Sequence, residues 1–73
     1  MLVSYNKLWK KLIDKNMNKT ELRAIAGIGT STLAKLSKNQ PVSMTAIMKI
    51  CVALDCNVEE VMEIIKPERG RGL

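Results

Sequence analysis

The segment Thr30-Ser31-Thr32-Leu33-Ala34-Lys35-Leu36-Ser37 carries the side chains whose chemistry is easiest to place. With Leu33 and Leu36 inward at helical spacing, Thr30, Ser31, Thr32, Ala34, Lys35 and Ser37 are left outside. A solvated helix face in a Lys- and Glu-rich chain normally mixes charges of both signs. This face is small and polar, with a single Lys and no acid. It can approach a polyanion without repulsion and hydrogen-bond to base edges in a nucleic-acid groove. Lys35 can donate to guanine O6 or N7, and Thr methyls can pack on thymine methyls. Upstream, Asn18-Lys19-Thr20-Glu21 reads as a capping box that opens a helix. The free amides and partial positive charge of that helix start suit a phosphate near Asn18 and Lys19.

Other chemistries find little support. The chain has no His, so no imidazole base is present. The Ser and Thr residues near Gly29 lack a general-base partner, and neither Cys51 nor Cys56 has a visible base. Gly27-Ile28-Gly29 follows a helix pattern, not a strand, and reads as a turn plus cap and not as a phosphate loop. Glu59, Glu60, Glu63 and Glu68 cluster near the C-terminus as a solvated acidic face. The two cysteines match no zinc spacing and are read as reduced thiols, so no metal and no cofactor is expected. Enzymatic activity is not expected.

The charge is uneven. Residues 1–49 hold nine Lys/Arg against two acids, whereas residues 50–73 hold three against five, so the net +5 divides into +7 and −2. A basic front and a mildly acidic back fit a protein with one side facing a polyanion. No stretch approaches the roughly 20 apolar residues of a membrane span. The N-terminus lacks the pattern of a secretory signal, so a cytoplasmic location is expected. At 73 residues the chain makes one domain, and a domain of that size is marginal alone because it buries only roughly 60% of its unfolded surface.

Five helices are expected to position these groups. Tyr5, Leu8, Trp9, Leu12 and Ile13 recur at helical spacing over about Ser4 to Lys15, with Asn16 as a left-handed stop. The capping box opens a short helix to Ala26, with Leu22, Ile25 and Ala26 inward. Gly27 supplies a left-handed turn and Ile28 plugs inward. The third helix runs from about Thr30 to Leu36 or Ser37 and is broken by Lys38-Asn39-Gln40-Pro41. Ser43 caps a fourth, read through Met44, Ile47, Met48, Ile50, Cys51 and Leu54, where the methionines are expected to fill the core. A second capping box, Asn57-Val58-Glu59-Glu60, is expected to open a fifth helix through Val61, Met62, Ile64 and Ile65, ended by Pro67. Met1 to Val3 is read as extended and able to pair with another chain. Residues 1–66 are expected to form the domain, and 67–73 a mobile tail.

Two short helices joined by a Gly turn make a helix-turn-helix corner. The string NKTELRAIAGIGTSTLAKLSKN, followed by AIMKICVALDCNVEEVMEI, resembles the Cro and lambda-repressor family of helix-turn-helix regulators, in particular its short stand-alone members. The resemblance covers roughly residues 5–65, with the helix-turn-helix unit at about 18–39. It implies an all-α, compact five-helix bundle of the lambda-repressor-like type that binds double-stranded DNA. By position it implies base contacts from Thr30, Ser31 and Lys35, and phosphate contacts from Lys19, Thr32, Lys38, Asn39 and Gln40, beside the Asn18 helix start. Three positions depart from the family pattern: Arg23 stands where Ala is usual, Gly29 where Ser or Thr caps the recognition helix, and Ser37 in place of a frequent Glu.

The apolar surplus at Val58, Val61, Met62, Ile64 and Ile65 exceeds one narrow stripe. Val58, Met62 and Ile65 are therefore expected at a homodimer interface, giving two half-sites about 34 Å apart on a palindromic operator. An alternative from another class is a small protein-interaction module, such as an antitoxin or anti-regulator, acting through a helix face.

Overall fold

The computed structural model describes residues 2–66. The expected Pro67 stop, Glu68 and the tail 67–73 lie outside the described residues. The order of elements is β1 (Leu2–Ser4), α1 (Asn6–Asp14), α2 (Lys19–Ala26), α3 (Thr30–Ser37), α4 (Met44–Leu54), a single 3-10 turn (Val58–Glu60) and β2 (Glu63–Ile65).

Each helix starts or stops where its local chemistry dictates. At α2 the Glu21 N–H donates to Asn18 Oδ1 (2.8 Å) and the Asn18 N–H donates to Glu21 Oε1 (2.9 Å), closing the expected capping box. At α4 the Ala46 N–H donates to the Ser43 hydroxyl oxygen (3.1 Å). At α3 the cap is Gly29, extended at φ −82° and ψ 170°, with no side-chain acceptor. Gly27 ends α2 at φ 70°, the left-handed region where a Cβ is penalised. Asn16, the expected stop of α1, is left-handed at φ 57°.

The core is aliphatic around one tyrosine. Leu8 and Leu12 of α1, Leu22 and Ala26 of α2, the plug Ile28, Leu36 of α3, Ile47, Ile50 and Leu54 of α4, and Val61 are all buried with Tyr5. α2 packs on α4, and the 3-10 turn touches both α1 and α4. The Tyr5 hydroxyl donates to the Gln40 carbonyl (2.8 Å) and the Tyr5 N–H donates to Asn39 Oδ1 (3.2 Å). The chain leaving α3 is thus bolted to the start of α1. Burial pushes the Tyr5 phenol above its ordinary pKa, so it stays a neutral donor.

Several expectations are corrected. The described residues form four α-helices and a small sheet, not five helices. After Asn57 the chain makes one 3-10 turn and then β2, which pairs antiparallel with β1 in the register Leu2↔Ile65, Val3↔Ile64, Ser4↔Glu63. Stiff β-branched side chains at Ile64 and Ile65 favour a pleated strand, and Leu2–Ser4 supplies the strand they pair with. The N-terminal strand therefore pairs within its own chain. α1 begins at Asn6, and its buried stripe is narrower than expected, leaving Ile13 75% exposed. Ile25, expected inward, is 51% exposed. Met44 and Met48, expected in the core, lie outside, because α4 buries the ridge through Ala46, Ile47, Ile50 and Leu54. Met44, Met48 and Val52 form the next ridge at four-residue spacing, and all three are exposed.

Candidate nucleic-acid interface

The surface of α3 is built as its sequence suggests. Leu36 is fully buried and Leu33 half-buried, which fixes the helix against the core and turns Thr30, Ser31, Ala34, Lys35 and Ser37 outward. Thr32 is half-buried at the margin. Thr30 and Ser31 are exposed in the first turn of α3, where the free amides and the positive helix end lie, and Lys35 is exposed one turn beyond Ser31, in the last turn. The α2 to α3 turn is held by the Gly27 and Ile28 N–H groups, which both donate to the Arg23 carbonyl (3.0 and 3.3 Å). Arg23 itself is half-buried, so the departure from Ala is accommodated at the edge of the packing.

Lys19 is held in place. Its ammonium lies 4.3 Å from the centroid of the Trp9 ring and donates to the Ser37 hydroxyl oxygen at 3.2 Å. α1, the start of α2 and the end of α3 are thereby joined at one cation. A cation over an indole at this distance is worth about 0.5–1 kcal/mol at an exposed site. Ser37, in place of a frequent Glu, accepts from Lys19 without neutralising it. Trp9 belongs to this cluster and was not among the expected site residues. Its separation from Lys19 in sequence leaves no local signal, and only the packing of α1 against the α2 to α3 corner brings the two together.

The residues after α3 divide into two roles. Lys38 is exposed and makes no side-chain hydrogen bond or ion pair among the described residues. Asn39 is left-handed at φ 55°, and its side-chain oxygen is occupied by Tyr5. The Gln40 carbonyl is occupied as well, while the Gln40 side chain stays exposed. Of the remaining lysines, Lys7 donates to the Glu59 carbonyl (3.4 Å) and Lys11 pairs with Glu60 (3.1 Å), so both face the C-terminal segment. Glu60 also accepts from the Asn57 N–H (3.1 Å). That hydrogen bond, followed by Lys11, holds its carboxyl below the usual carboxylate range. Val58 and Ile65 are exposed, whereas Met62 is half-buried against the core.

A family model for the Cro/C1-type helix-turn-helix DNA-binding domain matches residues 7–67, and the chain belongs to that family. It is similar to the crystal structure of the transcriptional regulator VanUg, with 50% sequence identity and a TM-score of 0.85 over 88% of this chain and 85% of that one. No curated protein sequence matches it significantly. The protein is a DNA-binding helix-turn-helix regulator. No helix among the described residues is long and apolar enough to cross a membrane.

Proposed function

We propose that the protein is a sequence-specific regulator of transcription that inserts α3 into the major groove of double-stranded DNA, acting through one domain over residues 1–66. The observation that carries this reading is the acid-free exposed surface of α3 beside the Lys19 clamp. In this reading Thr30, Ser31 and Lys35 face base edges. Asn18, Lys19, Thr32 and Lys38 face phosphates on either side. Asn39 serves chiefly to anchor the chain after α3, leaving the exposed Gln40 side chain to reach the backbone. The chain works by binding, not by catalysis, and in the cytoplasm.

The same reading includes a homodimer on a palindromic operator. Val58, Ile64 and Ile65 are exposed beside Met62, and among the described residues each strand of the two-stranded sheet keeps one unpaired edge. A second apolar surface supports a protein-contact reading that is compatible with DNA binding. Ile25, Met48 and Val52 line a groove between α2 and α4, floored by Ala26 and Ala53.

A gel-shift series against genomic fragments at increasing salt tests DNA binding, because neutralising several phosphates gives a steep fall in affinity. A shift that is absent or flat with salt contradicts the reading. Sedimentation of Ile65→Glu and Val52→Glu tests the dimer. Loss of self-association in Ile65→Glu alone supports the C-terminal interface, and loss in Val52→Glu alone moves it to the α2 to α4 groove.

A further inference from the structure

All four described helices end in the same way, α2 at Gly27 with the Ile28 N–H donating to Arg23 O (3.3 Å), and the other three at a residue that carries a side chain. Asn16, Asn39 and Asp55 take left-handed φ values of 57°, 55° and 53°. The residue after each reaches back across the last turn, with the Met17 N–H donating to Leu12 O (2.9 Å), Gln40 to Lys35 O (2.9 Å) and Cys56 to Cys51 O (3.0 Å). In this motif the two residues joined by the long hydrogen bond also bring their side chains together. At α1 the pair is Leu12 and Met17, both packed in or against the core. At α4 the pair is Cys51 and Cys56, the chain's two cysteines, both half-buried at the edge of the core.

We propose that Cys51 and Cys56 are a dithiol modification site, which reacts with a small-molecule disulfide such as oxidised glutathione and closes into an intramolecular disulfide across the C-terminal turn of α4. A disulfide needs Cα atoms roughly 4.4–6.8 Å apart. The hydrogen bond between the backbones of these same two residues imposes that kind of proximity. Neither cysteine lies on α3, so the site is separate from the DNA-facing surface.

The chemistry balances in two exchanges. The thiolate of one cysteine attacks a sulfur of the small disulfide, whose S–S bond breaks. One small thiolate leaves with the electron pair and takes up a proton. The second cysteine gives its proton to solvent, attacks the protein sulfur of the mixed disulfide and expels the second small thiol. Two protein thiols are oxidised to one disulfide, and one small disulfide is reduced to two thiols. Burial, then the neighbouring Cys51 and, more weakly, Glu60, push the Cys56 thiol up, with Lys11 acting the other way. A thiol of this kind is a poor first nucleophile but an adequate second one, because the mixed disulfide is delivered beside it.

The test incubates the full folded chain with oxidised glutathione and reads intact mass and titratable thiols. The wild type is expected to lose both thiols and two hydrogens, with no lasting adduct and no linked dimer. Cys56→Ser is expected to accumulate a one-glutathione adduct, and Cys56→Ala gives the same result if the serine variant fails to fold. The proposal is overturned if the wild type keeps a glutathione adduct as persistent as that of the variant. It is equally overturned if the wild type forms linked dimers, or keeps both thiols while a denatured sample oxidises.

Discussion

The chain writes nearly the same four-residue signal twice, Asn18-Lys19-Thr20-Glu21 and Asn57-Val58-Glu59-Glu60, and the structure answers it differently. In both, the carboxylate of the fourth residue accepts from the first residue's N–H, at 2.9 Å for Glu21 and 3.1 Å for Glu60. The first opens the eight-residue α2, whereas the second opens a single 3-10 turn that yields to a strand. The local signal sets where a helical turn starts. The residues downstream of it set how long the helix lasts. After Glu21 come Leu22 and Ala26, spaced to bury one face of a helix against α4. After Glu60 comes a segment in which Val61 plugs the core and Ile64 and Ile65 find a partner strand in Leu2–Ser4.

The largest effect that sharpens this contrast is expected at Leu22, which is fully buried. Leu22→Ala should cost about 2–5 kcal/mol, enough to unfold much of a small domain. Urea denaturation checks this, and a loss well under that range would mean that α2 is not held by its packing. Next in size are the caps. Asn18→Ala should cost about 1 kcal/mol, because the side chain satisfies an amide at the start of a true helix. Asn57→Ala should cost clearly less, because there the Asn57 N–H donates to the Glu60 carboxylate, a bond that survives the change, and the turn it opens is only three residues long. Equal losses in the two variants would break the contrast.

A smaller effect is expected with pH. The Glu60 pKa is lowered in the fold, first by the Asn57 N–H and then by Lys11, so its contribution is complete above the ordinary carboxylate range. It is lost as pH falls through the lower folded value. The protection of the Asn57 and Glu60 amides, taken as exchange relative to the intrinsic rate at the same pH, should therefore fall at acid pH in the wild type, and Glu60→Gln should flatten that dependence. No change between the two would remove Glu60 as the anchor of the turn. The smallest effect is at Gly29, where an added Cβ meets open space. Gly29→Ser should stabilise α3 by a few tenths of a kcal/mol, read as a small rise in Tm.

The helix-turn-helix unit is legible in the sequence because its determinants are local. The Asn18–Glu21 box, the left-handed Gly27, the Ile28 plug and the inward Leu36 all sit within one stretch and appear as expected. The C-terminal segment is not legible, because its strand depends on Leu2–Ser4 at the far end of the chain. The buried ridge of α4 escapes a sequence reading for a related reason. Apolar residues occur on two adjacent ridges, and only the docking of α2 decides that Ile47 and Ile50 are buried while Met44 and Met48 are not. In the site, the outward residues of α3 follow from periodicity. The Trp9 and Lys19 clamp and the use of Asn39 by Tyr5 arise from tertiary contacts that no local pattern announces.

The most direct test of the central claim is binding-site selection from random DNA with the wild type, Lys35→Ala and Lys38→Ala, each followed by a salt series. Lys35→Ala is predicted to relax preference at one base pair in each half-site. Lys38→Ala should keep the selected sequence, weaken all sequences alike and reduce the salt slope by about 1. If Lys35→Ala selects the same sequence with undiminished affinity while Lys10→Ala, at an exposed position of α1, abolishes binding, α3 is not the surface that reads DNA.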